Sequence, residues 1–137
     1  MRIFLDISSA AKREKTGIAF YIQNLLRAFS EEDSENKYSL FCRFSRLKGL
    51  KYLPSVKAPN FRRVASPLHL LSCPHADIAH GLDGRIFKVG KAKRVVTIHD
   101  TFSVVSDRFA EISFRERKVK FFRYRITSRS SVLIQYW

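Results

Sequence analysis

Acidic residues are scarce in this chain. Twelve Asp and Glu stand against 26 Lys and Arg, a formal net charge of +14. An imbalance of that size draws a protein toward polyanions such as nucleic acid, anionic lipid or phosphorylated ligands, and leaves the fold undetermined. Cysteine is scarce as well. Cys42 and Cys73 form no CxxC pair; without a secretory signal they read as two reduced thiols in a cytosolic protein. The N-terminus, MRIFLDIS, meets Asp6 after three apolar residues, too soon for the apolar core of a signal peptide. No apolar run approaches the roughly 20 residues of a membrane-spanning helix, so a membrane contact is expected at its surface. Only 5 Gly and 4 Pro interrupt the 137 residues, and the chain has neither repeats nor a low-complexity linker.

What the chain does have is material for a core. Hydrophobic residues make up 45% of it, with 12 Phe and 5 Tyr, which excludes a disordered segment. A chain of this length forms one domain, 1–137, able to bury roughly two-thirds of its unfolded surface. The charge is uneven. Residues 85–129 hold thirteen basic and four acidic residues, against thirteen and eight in residues 1–83. The C-terminal half is the basic pole.

Residues 2–8 read as a short buried strand, and the polar stretch SAAKREKT at 9–16 as a loop. The period then changes. Ile18, Ile22, Leu25, Leu26 and Phe29 mark one face of an amphipathic helix, with Thr16 as its N-cap and Gly17 as its first residue. The acidic EEDSEN at 31–36 closes it. Further strands are predicted at 38–44, 61–65, 76–80, 95–99 and 131–137. Ser113 and Glu116 form a capping box ahead of a basic helix over 113–128, with Val119, Phe122 and Ile126 as its buried stripe. Strands that read as continuous apolar runs, such as VVTI, are buried on both faces. Alternated with helices, they predict an α/β fold: a Rossmann-like, mostly parallel sheet with helices on both faces.

Ligands of open parallel sheets bind beyond the carboxyl ends of the strands. Three features are expected on that rim: the loop leading to Gly17, the turn AHGLDG with His80, Gly81 and Asp83, and the pair His99-Asp100. At Gly17 a helix N-terminus suits phosphate, or the glycine simply starts a helix; GIAFYI is not GxGxxG and no P-loop exists. His99 is either a site residue able to exchange a proton or a strand-end histidine bonded to a backbone carbonyl, with Asp100 capping the following turn. Neighbours on a strand face opposite ways, so no His-Asp dyad is assumed. His69, Cys73 and His75 lack a fourth ligand and match no zinc pattern. No GxSxG nucleophile motif is present. Interleaved arginines and aromatics in RERKVKFFRYRITSR suit a nucleic-acid surface, an anionic lipid surface or a solvated helix face.

In order, MRIFLDIS, TGIAFYIQNLLRAF with Gly17, Tyr21 and Leu25, the run Asp77 to His80, and RVVTIHDTF resemble the N-terminal domain of family 4 glycosyltransferases, which have the GT-B fold. The resemblance spans nearly the whole chain except its middle. It implies transfer of a sugar from a nucleotide sugar to a glycan or lipid-linked acceptor with retention. It places Gly17 near the donor phosphates, His99 at the transferred sugar as the catalytic group, and Tyr21, His80 and Asp100 in substrate binding. It implies no cofactor and no metal, because backbone amides and basic side chains stabilise the leaving diphosphate. The family's second loop glycine is here Ala19. The donor-binding domain that follows in the family is expected to be missing, which makes the chain an acceptor-side half that is inactive alone or works with a separate C-terminal half. The expected location is cytoplasmic, with peripheral contact to the inner face of the plasma membrane. In the competing reading the chain is a basic α/β nucleic-acid-binding module; the transferase reading involves no nucleic acid.

Overall fold

The computed structural model describes residues 1–64, 75–85 and 89–99, together with the backbone of 131–134. Its frame is a parallel sheet. Strands β1 (Arg2–Asp6), β2 (Lys37–Phe41), β3 (Phe61–Val64), β4 (Ile78–Gly81) and β5 (Lys93–Ile98) run the same way, and β6 (Ser131–Ile134) joins β5 in the same sense. The spatial order is β3-β2-β1-β4-β5-β6. The chain therefore starts in the middle, winds outward through β2 and β3, then returns to the other side of β1. This is the doubly wound Rossmann-like order, whose reversal between β1 and β4 opens a crevice at the C-terminal edge.

Helix α1 (Gly17–Glu32) follows the apolar period read from the sequence. Ala19, Ile22 and Leu26 are fully buried, and Ile18, Tyr21, Leu25 and Phe29 pack partly buried beside them. They meet Leu5 of β1 and Tyr38 and Leu40 of β2 on one face of the sheet. Tyr38 carries the packing outward, stacked between Phe29 at 5.3 Å and Phe61 at 4.4 Å. On the opposite face, among the described residues, Phe4 and Phe41 stack at 5.1 Å, with Ala79 and Val89 against them. Alternation along each strand separates these two sets, as the pleat requires.

The helix ends as the acidic cluster foretold, by a specific device. Asp33 accepts hydrogen bonds from the backbone N–H of Glu35 and Asn36, the Asn36 amide and the Tyr38 hydroxyl. Four donors hold its carboxyl well below the usual range and fix the turn into β2. At the other end, Thr16 occupies the N-cap with extended backbone, but its side chain makes no capping bond.

The strands are shorter than the apolar runs suggested. The first ends at Asp6 and is followed by a 3-10 turn at Ser8–Ala10, and the second ends at Phe41. Phe44–Tyr52, read from sequence only as a basic stretch, is 3-10 helix. Its Gly49 lies so close to Ala11 that a Cβ would sit 2.1 Å from the Ala11 carbonyl oxygen. A side chain there is excluded, and the glycine lets this segment close over the loop after β1. Cys42 is buried and free, its thiol pKa pushed up by burial. Among the described residues no helix is long and apolar enough to cross a membrane. The expected helix at 113–128, with its Ser113–Glu116 cap, lies outside the described residues, as do Cys73 and Asp100.

Candidate functional site

The turn after β4 organises the C-terminal edge. Gly84 takes φ 77°, a backbone conformation that suits glycine, and its N–H bonds the Thr97 carbonyl at 2.9 Å. The turn is thereby tied to β5, and it supplies groups to two different clusters.

The first cluster lies on the face that carries α1. Thr97 is completely buried, and its hydroxyl is a hub. His80 Nε2 is 2.9 Å from Thr97 Oγ1, and the Tyr21 hydroxyl is 3.5 Å from the same oxygen. The Tyr21 ring meets the His99 ring edge-on, with centroids 4.8 Å apart and planes at 78°. His99 Nε2 donates to the Leu82 carbonyl at 2.8 Å. Because a carbonyl can only accept, this bond sets the tautomer: Nε2 carries hydrogen, and Nδ1 is left as the acceptor of the neutral ring. His80 is different. Burial lowers its pKa to about 4, because a charged imidazole would lose its hydration there. At neutral pH it is an uncharged hydrogen-bonding group.

The second cluster sits where β1, β2 and β4 end, at the point of strand-order reversal. Asp6 is 1% exposed, and Asp83 and Arg43 expose 3% and 16% of their side chains. The Arg43 guanidinium pairs with Asp83 through Nη2 and with Asp6 through Nε at 3.4 Å. The Ser9 hydroxyl donates to Asp83, the Ser8 N–H donates to Asp6 at 3.0 Å, and the Arg43 N–H donates to the Ser8 hydroxyl at 2.8 Å. Burial raises the Asp6 pKa, with Arg43 and the Ser8 bonds opposing and Asp83 adding to the rise. Two carboxylates share this one buried cation, and Arg85 reaches Asp83 from outside at 3.7 Å. Asp6 Oδ2 and Asp83 Oδ1 are buried without a hydrogen-bond donor.

Of the residues singled out by sequence, Tyr21, His80 and His99 come together through Thr97 and the Leu82 carbonyl. Gly17 does not join them. It is exposed at the start of α1, one turn before Tyr21, and a Cβ there would meet nothing within 4 Å. Packing therefore does not demand glycine at this position. His99 does bond a backbone carbonyl, the bland alternative for a strand-end histidine, yet that bond uses only one ring nitrogen. Asp6, Arg43 and Thr97 were missed. The available signal was an acid closing a continuous apolar run, as Asp6 closes IFL. Thr97 reads in sequence as one more β-branched residue of VVTI. Among the described residues no group of three or more His, Cys, Asp and Glu side chains is gathered to hold a metal ion. His75 is exposed, and His69 and Cys73, weighed with it in the sequence, lie outside the described residues.

No protein-family model, curated protein or solved structure matches the chain.

Proposed function

We propose that this chain is the acceptor-side domain of a glycosyltransferase that moves a sugar from a nucleotide sugar to a glycan or lipid-linked acceptor. The observation that carries the reading is the contact between Tyr21 and His99 at the C-terminal edge of a doubly wound sheet. Two residues that the family resemblance assigns to one site, 78 positions apart in the chain, share an edge-to-face ring contact there. Supporting it, the Leu82 carbonyl holds His99 by Nε2, so Nδ1 is the atom offered to a sugar hydroxyl. His80 stays neutral and keeps the Thr97 hydroxyl oriented. In the reaction the acceptor hydroxyl oxygen bonds the anomeric carbon, the bond from that carbon to the nucleotide diphosphate breaks, and the hydroxyl proton passes to the leaving diphosphate oxygen. The leaving diphosphate carries away the developing negative charge, which backbone amides at the Gly17 helix start and basic side chains would stabilise. Asp100 is proposed to take part in substrate binding, as the resemblance implies, and membrane contact to be peripheral, through the basic pole.

The test has two parts. The 137-residue chain alone transfers no sugar from any of a panel of nucleotide sugars; transfer by the isolated chain contradicts the half-enzyme reading. In an enzyme completed by a donor-binding domain, His99→Ala lowers turnover about 10²-fold, the scale of losing one hydrogen bond at a reacting centre, and depresses turnover more than folding stability. Unchanged turnover removes His99 from the site. The net charge of +14 favours a second reading, a nucleic-acid-binding module. Its signature is RNA or DNA affinity that falls steeply with salt while glycans fail to bind.

A further inference from the structure

The N-terminal edge of the sheet holds a cavity of about 570 Å³ that the proposed transferase site does not use. That volume falls within the range of small-molecule sites. Arg2, Lys37, Arg62 and His75 line it together with Ser39, and among the described residues its lining contains no Asp or Glu. The placement follows from strand parity. Arg2 and Lys37 are Cα partners on neighbouring strands, and Ser39 is the partner of Arg62. Arg2 shares a face with Phe4, and Lys37 and Ser39 share one with Phe41, so these side chains stand on the face away from α1.

Like charges side by side on neighbouring strands, as Arg2 and Lys37 are, repel each other. Arg2 is partly compensated by Asp77, 3.7 Å away. Lys37 has no carboxylate within ion-pair distance among the described residues. The Arg62 guanidinium is held in place by its Nε bond to Ser39 Oγ at 2.9 Å, which leaves its two terminal amino groups to face a ligand as a fork. Three cations from three adjacent strands, one of them oriented in advance, converge on one concavity. A dianionic group placed between them would relieve the repulsion and accept charge-assisted hydrogen bonds.

We propose that this cavity is a binding site for a small soluble phosphate-bearing compound, separate from the C-terminal edge and independent of the glycosyltransferase reading. The probe is inorganic pyrophosphate, titrated into the ¹⁵N-labelled 137-residue protein at constant ionic strength. The expected result is saturable shifts at the amides of Arg2, Lys37, Ser39 and Arg62. Arg62→Gln and Lys37→Gln should each weaken binding about tenfold, while Arg46→Gln and Lys48→Gln, which remove exposed charges beyond the opposite end of β2, leave it unchanged. Circular dichroism confirms that each variant is folded, and the two single variants serve as checks on each other. Shifts scattered over exposed lysines, equal weakening by the remote variants, or no saturable shift would overturn the proposal. So would binding to phosphatidylglycerol vesicles without binding to pyrophosphate, which would mark the patch as a lipid surface. Failure here leaves the His99 test untouched, because the two sites lie at opposite strand ends.

Discussion

The two edges of the sheet solve the problem of polar side chains in opposite ways. At the C-terminal edge, polar groups are buried and bonded to one another: His80 to Thr97, His99 to Leu82, Arg43 to Asp83 and Asp6. At the N-terminal edge, cations of one sign stand around an open cavity with Asp77 as their near counter-charge. Buried and interlinked groups hold a fixed geometry, as chemistry at a reacting centre needs. Unsatisfied charge around a concavity instead stores attraction for an anion. The comparison teaches that net charge and the proposed site of chemistry are separable in this molecule. The net +14 identifies neither edge, and the neutral His80 lies among the bonded groups of the C-terminal edge.

That contrast can be broken by substitution. Asp83→Ala has the largest expected effect. It strips Arg43 of its closer carboxylate and leaves the Ser9 hydroxyl without an acceptor, both at a largely buried position. Breaking a buried pair from one side costs about 3–5 kcal/mol. Urea unfolding should show a loss of that order; a loss under about 1 kcal/mol would mean the cluster behaves as a surface ion pair.

The next effect is a dependence on pH. His80 has its folded pKa lowered from 6.5 to about 4. Between those values the unfolded chain binds a proton that the native state refuses, so stability falls as pH drops through the window, by at most about 3 kcal/mol. Asp6 has the opposite sign. Its folded pKa is raised above 3.8, so the native state keeps a proton that the unfolded chain releases, and stability falls as pH rises through that range. Subtracting the unfolding profile of His80→Gln isolates the imidazole contribution. A difference profile that is flat from pH 6.5 to 4 would show that His80 is solvated rather than buried.

The smallest effect belongs to the N-terminal edge. Lys37→Glu puts a carboxylate opposite Arg2 and should raise stability by about 0.2–1 kcal/mol, the scale of one cross-strand pair. Thermal melts in low salt test it. A loss of stability would mean that the Arg2–Lys37 pair is already neutralised.

Much of this organisation was legible in the sequence, for reasons that differ by element. The α1 face was readable because Ile22 and Leu26 repeat at the helical period and are the residues buried in the fold. VVTI announced a strand buried on both sides, and the rule that parallel sheets carry ligands at their carboxyl ends placed the loop at Gly17, His80 and His99 on one rim; Tyr21 entered only through the family resemblance. Strand ends were less legible. The run at 2–8 looks continuous, but the backbone turns at Asp6 because its carboxylate is needed for the Ser8 N–H and Arg43. The Asp6–Arg43–Asp83 cluster joins residues 37 and 40 positions apart from three strand ends, and no local pattern encodes such a meeting. Arg43 in particular reads as one of many basic residues. The cavity at the other edge was hidden for the same reason: Arg2, Lys37 and Arg62 become neighbours only through the register of three strands.

The most direct test of the account is to map ligands onto the two edges of one labelled sample. A panel of neutral oligosaccharides, followed through the imidazole signals of His80 and His99 and the amide of Tyr21, should produce saturable shifts at the C-terminal edge while the amides of Arg2, Lys37 and Arg62 stay still. Oligosaccharide shifts confined to the N-terminal edge, with His99 and Tyr21 unmoved, would contradict the assignment of the acceptor site.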